Sequence, residues 1–203
     1  TEYHEGTATF DSRKKELYFT RCIKEKNEKL GCAIYVSELV GLDWKEPKAI
    51  IIGSDTAANV GHPSLSADDK FLYFVSDEYN SIGKHDIYVT SFDRRSDKWR
   101  EPKNLGPNVN SSESEYYPVV HGDGYLYFSS NGHGGMGGLD VFRVSIGEDG
   151  MPNGDIENMK FPINTNFDDF HLVWEPGEDT KKGFVSSNRS GGAGSDDIYA
   201  VYR

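Results

Sequence analysis

A short aromatic phrase recurs four times along the chain, and this recurrence restricts the fold more than any other feature. Aligned on one strand, "ELYFTR" (16–21), "FLYFVSD" (71–77), "YLYFSSN" (125–131) and "GFVSSN" (183–188) set Phe19, Phe74, Phe128 and Val185 at intervals of 55, 54 and 57 residues. A second strand follows each one: "AIYVSE" (33–38), "DIYVTS" (86–91), "DVFRVS" (140–145) and "DIYAVYR" (197–203). Its Tyr35, Tyr88, Phe142 and Tyr199 keep intervals of 53, 54 and 57. Two independent landmarks with one period define a repeat.

Each unit opens on another short strand: "TATF" (7–10), "HPSL" (62–65), "YPVV" (117–120) or "HLVW" (171–174). Turns rich in Asp, Gly and Ser join it to the aromatic strand. A fourth element follows in "DWKEPKAIII" (43–52) and "KWREPKNLGP" (98–107), and more loosely in "MPNGDIENMKFPI" (151–163). No amphipathic helical period occurs anywhere.

Four short strands per unit of about 54 residues predict an all-β fold, a β-propeller of four visible repeats with four antiparallel strands per blade. The repeats run roughly 4–58, 59–113, 114–167 and 168–203, within a single domain, 1–203. Runs such as "LYF" and "IYV" suit strands covered on both faces. Hairpins stacked in a sandwich would explain the strands but not the period. The last unit stops after its third strand, so the four blades either close a ring or form part of a larger one. The expectation is a domain cut from a larger parent.

A net charge of −11 and a pI near 5.0 argue against a nucleic-acid partner, which would need a basic stripe. No run of about 18 apolar residues exists to insert directly into a membrane. No signal peptide or lipidation motif is read in these residues, and a start at Thr1 without Met is what a fragment or a processed chain, which would have lost one, is expected to show. Cys22 and Cys32 flank "IKEKNEKLG". Two readings stay open for them, a disulfide across a hairpin and two free thiols.

The loops "SDEYNSIGKHD", "SSNGHGGMGGLD" and "SSNRSGGAGSDD" each end in an aspartate, Asp86, Asp140 or Asp197. Three copies of one catalytic site around a ring are not expected. The loops are therefore read as architecture: the aspartates accept loop amides, and Gly134, Gly135, Gly137, Gly138, Gly191, Gly192 and Gly194 supply positive φ. A calcium nest from Asn131, Asp140, Asn188, Asp196 and Asp197 is the chemical alternative, although the spacing matches no EF-hand. "GHGGMGG" lacks the Lys-Ser/Thr ending of a phosphate loop, and no nucleophile elbow occurs.

Histidines 4, 62, 85, 121, 133 and 171 are scattered and are read as strand-end or surface residues. Glu113, Glu115, Asp168 and Asp169 are read as solvated carboxylates between blades rather than an acid/base pair. Trp44 and Trp99 share one place in the "W-x-E-P" turn, where they are expected to pack on the blade edge. Trp174 is expected in the core.

Taken together, "GHPSLSADDKFLYFVSD", "EPKNLGPNVNSSESEYYPVVHGDGYLYFSSNGHGGMGGLDVF" and "DDFHLVW…GFVSSNRSGGAGSDDIY" resemble the TolB-like, WD-type propeller of OmpA-family envelope proteins from Bacteroidetes-like bacteria. The resemblance spans essentially the whole chain. It implies a periplasmic, outer-membrane-associated domain without cofactor, whose partners are envelope proteins or the type IX secretion machinery. It also implies that peptidoglycan is bound only through a domain absent from these residues. The first copy departs from the pattern, with Ala33 in place of the aspartate and "KEKNEK" in place of the glycines.

Three functional expectations follow. The leading one is a non-enzymatic interaction module. The second is a propeller that binds or cleaves glycans, with Tyr79, Tyr116, Tyr117 and Trp174 stacking on sugars. The third is a calcium-stabilised structural ring.

Overall fold

The computed structural model describes residues 3–24, 30–53, 59–77, 80–177 and 181–203. Among them there are strands and turns but no helix, and hence no helix long and apolar enough to cross a membrane. The first blade holds β1 (His4–Phe10), β2 (Glu16–Lys24), β3 (Leu30–Val40), β4 (Asp43–Trp44) and β5 (Lys48–Ala49). The second holds β6 (Val60–Leu65), β7 (Phe71–Ser76), β8 (Asp86–Asp93), β9 (Lys98–Trp99) and β10 (Lys103–Asn104). The third holds β11 (Glu115–Val120), β12 (Tyr125–Ser130), β13 (Asp140–Ser145) and β14 (Glu157–Asn158). The fourth holds β15 (Asp169–Trp174), β16 (Lys182–Ser187) and β17 (Asp197–Tyr202).

Within each sheet consecutive long strands pair antiparallel, and the first strand of each blade lies innermost. β1 packs beside β6, β6 beside β11, and β11 beside β15. The fold is a four-bladed β-propeller.

The aromatic runs make sense at the blade interfaces. Side chains alternate along a strand, so each middle strand sends its residues to two neighbours in turn. In β7, Leu72 and Phe74 enter the core shared with the first blade, whereas Tyr73 and Val75 enter the core shared with the third. In β12, Leu126 and Phe128 face the second blade and Tyr127 faces the fourth. Both faces are covered, so the whole "LYF" run is buried without polar alternation.

Among the described residues, the end blades are covered on one face only. Val185 is fully buried against the third blade, while Phe184 is 38% and Ile198 74% exposed on the opposite face. Phe10 is half exposed on the first blade, and β15 and β1 share no packing comparable to the other inner-strand pairs.

The turn tryptophans differ from each other. Trp99 is buried between the first two blades, against Tyr18 and Phe92, whereas Trp44 is 43% exposed beside Phe10. Trp174 is buried against Tyr127 with Arg203 stacked over it. Cys22 lies directly opposite Cys32 in the β2–β3 ladder, and the two form a disulfide with Cα atoms 4.0 Å apart.

Candidate functional site

Every inner strand carries a β-bulge at the same place. Pairing slips between Gly6 and Ala8, Gly61 and Ser64, Tyr116 and Val119, and Phe170 and Val173. The bulged residues Thr7, His62, Tyr117 and His171 have φ of 36°, 52°, 52° and 53°. Non-glycine residues seldom adopt positive φ, and a β-branched threonine less than most. A bulge re-aims the side chain it carries, and here all four line one axial cavity of about 350 Å³.

Hydrogen bonds between blades hold the bulges in place. The His62 N–H donates to Thr20 Oγ1 (2.8 Å), the Tyr117 N–H to His62 Nδ1 (3.2 Å) and the His171 N–H to Ser129 Oγ (3.2 Å). Val75 stands in the second blade where Thr20 and Ser129 stand in their own, so the imidazole of His62 replaces the missing hydroxyl. Because Nδ1 accepts, the neutral ring of His62 carries its proton on Nε2 and can donate from there.

The rings stack around the axis. Tyr117 lies 4.4 Å from His62 at 16° and 5.3 Å from His171 at 22°, with Phe170 also 5.3 Å away. Burial pushes the pKa of His62 down to about 4, helped by the neighbouring His171 and His85, and burial lowers that of His171 as well. Burial, with Tyr116 and Asp196 nearby, raises that of the Tyr117 phenol. Near neutral pH the channel is therefore uncharged. Thr9, Ser64, Pro63, Pro118 and Val173 complete much of its wall, and no carboxylate lines it among the described residues. Such a wall offers aromatic faces, hydroxyls and neutral imidazoles to an uncharged, hydroxyl-rich ligand.

The aspartates of the glycine loops lie elsewhere. Asp86 accepts the amides of Ile82 (2.6 Å) and Gly83 (3.0 Å) and the Asn104 carboxamide (2.6 Å). Asp140 accepts those of Met136 and Gly137, both at 3.0 Å, and Asp197 that of Gly194 at 3.0 Å. The reason for glycine differs from the expected one. Of the seven loop glycines singled out, only Gly191 has positive φ (99°). A Cβ on Gly135 would run into the Asp140 carboxylate, and one on Gly192 into that of Asp197. Close approach, not left-handed backbone, selects glycine at these two positions.

Among the calcium candidates, Asn131 Oδ1 accepts the Ser114 amide (3.0 Å) and Asn188 Oδ1 the Asp168 amide (2.9 Å). No group of three or more His, Cys, Asp or Glu side chains converges among the described residues.

Two of the carboxylates expected in solvated loops are fully buried. Glu115 accepts the Ser111 amide (2.9 Å) and the hydroxyls of Ser111 (2.7 Å) and Ser130 (2.6 Å). Asp169 accepts the Thr165 amide and hydroxyl (2.5 and 2.7 Å) and Arg189 Nη2 (2.5 Å). They clamp the start of the inner strand to the preceding crossover, which is why they are drawn out of solvent. Glu113 pairs with Lys84 on the surface, and Asp168 accepts the Leu139 amide at 2.8 Å. Of the aromatics expected to stack on sugars, Tyr117 lines the channel, Tyr116 lines the adjoining pocket and Trp174 lies in the core; Tyr79 lies outside the described residues.

Reading the histidines as scattered missed His62 and His171. Their signal was the 55-, 55- and 54-residue spacing of Thr7, His62, Tyr117 and His171, within strands whose landmarks were already aligned.

Four blades around a lined axial channel define the class, a β-propeller with a candidate ligand site on its axis. No protein-family model and no curated protein matches the chain. Solved structures do. A luciferin-regenerating enzyme matches all of the chain at 14% identity and a TM-score of 0.58, with the chain spanning 62% of its length. An alpha-L-arabinofuranosidase from Lactobacillus brevis matches 92% of the chain at 15% identity and a TM-score of 0.59, over 68% of its own length. A thermostable family-43 glycoside hydrolase matches 97% at 15% identity and a TM-score of 0.56, over 70% of its own length. At such identities the likeness shows the fold.

The comparisons correct the expectation of a non-enzymatic module. The three solved propellers named above are enzymes, so a repeated architecture without a familiar motif does not argue against catalysis.

Proposed function

We propose that this protein is a glycan-binding or glycan-cleaving propeller whose sugar site is the axial channel. One observation carries the reading: four strained bulges aim Thr7, His62, Tyr117 and His171 into a single uncharged cavity. Strain retained at one place in all four blades points to a use for the side chains it re-aims. Tyr117 offers its ring to the apolar face of a sugar, His62 Nε2 donates to a hydroxyl, and Thr9 and Ser64 line the wall beside it. The likeness to an arabinofuranosidase and a family-43 hydrolase supports a pentose-containing glycan as the first ligand to try.

Cleavage of a glycoside ordinarily uses two carboxylates roughly 5 to 10 Å apart. The channel wall carries neutral groups, so binding is the step these side chains account for. An extracytoplasmic address fits the Cys22–Cys32 disulfide, which persists in oxidising compartments. It also fits the envelope setting that the sequence resemblance implies.

The test is affinity electrophoresis against arabinan, xylan and a glucan, with released reducing ends assayed in parallel. Retardation by at least one polysaccharide that Tyr117→Ala abolishes is expected. Equal mobility of wild type in every gel, with no reducing ends released, would end the proposal.

A further inference from the structure

A second cavity, of about 290 Å³, lies at the interface of the first two blades and shares His62 with the channel. Its lining includes Asn59, Ser76, Asp77, His85, Tyr116 and the Cys22–Cys32 pair. The Ser76 hydroxyl is buried, with the residue 1% exposed, and makes no hydrogen bond among the described residues.

The repeat explains why Ser76 is unpartnered. Ser130 and Ser187 occupy its place in the next two blades. Ser130 donates to Glu115 (2.6 Å), and Ser187 accepts from Arg189, which also grips Asp169. The second blade has Val60 where its neighbours have those acids, so the clamp is missing and a cavity stands there instead. A buried polar group left unpaired is costly and calls for a partner from outside the chain.

Other groups around the cavity suit a neutral polyol. Asn59 Oδ1 accepts the Cys32 amide (3.0 Å), and its Nδ2 lies 3.4 Å from Asp77 Oδ2. The amide and carboxylate thus form a pair with capacity left for hydroxyls. Tyr116 packs on His62 and His85 and presents its ring at the wall. The size admits a monosaccharide unit.

We propose that this pocket is a second sugar subsite, which holds the unit next to the one in the channel and satisfies the Ser76 hydroxyl. The proposal rests on the channel reading. His62 lines both cavities and so borders both units.

The test is calorimetric titration of linear arabino-oligosaccharides of one to six units into wild type, Ser76→Ala and Tyr117→Ala. Wild-type affinity should rise with length and then level off. Ser76→Ala should bind the shortest ligands normally and lose about 5- to 10-fold on the longer ones, one neutral hydrogen bond's worth. Its unliganded melting temperature should stay level or rise, since an orphan hydroxyl is removed. Unchanged binding by Ser76→Ala at every length, or an equal loss at all lengths with a lower melting temperature, would overturn the subsite while the channel stands. Absence of wild-type binding at all lengths would overturn the channel and the subsite together.

Discussion

At the residue scale, chemistry that looks similar in the chain separates by what each side chain faces. Asp86 is fully buried under two amides and a carboxamide, so Asp86→Ala should cost about 2 to 3 kcal/mol in urea unfolding. A loss below about 0.5 kcal/mol, typical of a surface change, would show that the loop does not depend on it. His62 titrates differently. Its folded pKa of about 4 lies below the unfolded value of about 6.5, so the unfolded chain takes up the proton first. The stabilising contribution of the neutral ring is complete above about pH 6.5 and is lost as pH falls towards 4. Melting temperature followed from pH 7.5 to 4 should fall less steeply for His62→Gln than for wild type; parallel curves would contradict the assignment. The aspartates could be read from the sequence because each stands at a fixed place before a strand. His62 and His171 carry no such residue-type signature, since their importance comes from a backbone bulge, and only their common spacing with Thr7 and Tyr117 marks them.

At the element scale, period-2 alternation and double burial explain why strands rich in aromatics look unpatterned. Val185 and Ile198 are neighbours in one sheet yet face opposite ways, one fully buried and one 74% exposed. Val185→Ala should lower stability by about 2 kcal/mol, whereas Ile198→Ser should stay within about 0.5 kcal/mol. Similar losses at both positions would mean that the outer face of the fourth blade is covered in solution. The disulfide belongs to the same scale. It joins cysteines ten positions apart in the β2–β3 hairpin, and on the chain-entropy account its reduction should cost about 2 to 3 kcal/mol. Urea midpoints with and without a reductant would read this, and coincident midpoints would contradict it. Hairpin strands and their turns were legible because Phe19, Phe74, Phe128 and Val185 mark the middle strand of every blade. In the second to fourth blades the same landmarks lie opposite the bulge. The extra residue shifts the inner strand by one place, which a pattern of apolar residues does not record.

At the scale of the whole molecule, the repeat period was enough to reach a propeller, since blades of fixed length that cannot bury their faces alone must pack around an axis. The site was not legible as a local motif, because it is assembled from one residue per blade, each about 55 positions from the next; only the repeat register brings the four together. Repetition argued for architecture in the glycine loops. On the inner strands it builds a cavity instead, since four copies of one bulge converge on the axis. Calorimetric titration of wild type and Tyr117→Ala with the shortest arabino-oligosaccharide that binds tests this most directly. The account predicts saturable binding by wild type and at least a tenfold loss in the variant, about 1.4 kcal/mol or more. Saturable binding that survives the substitution intact would contradict it.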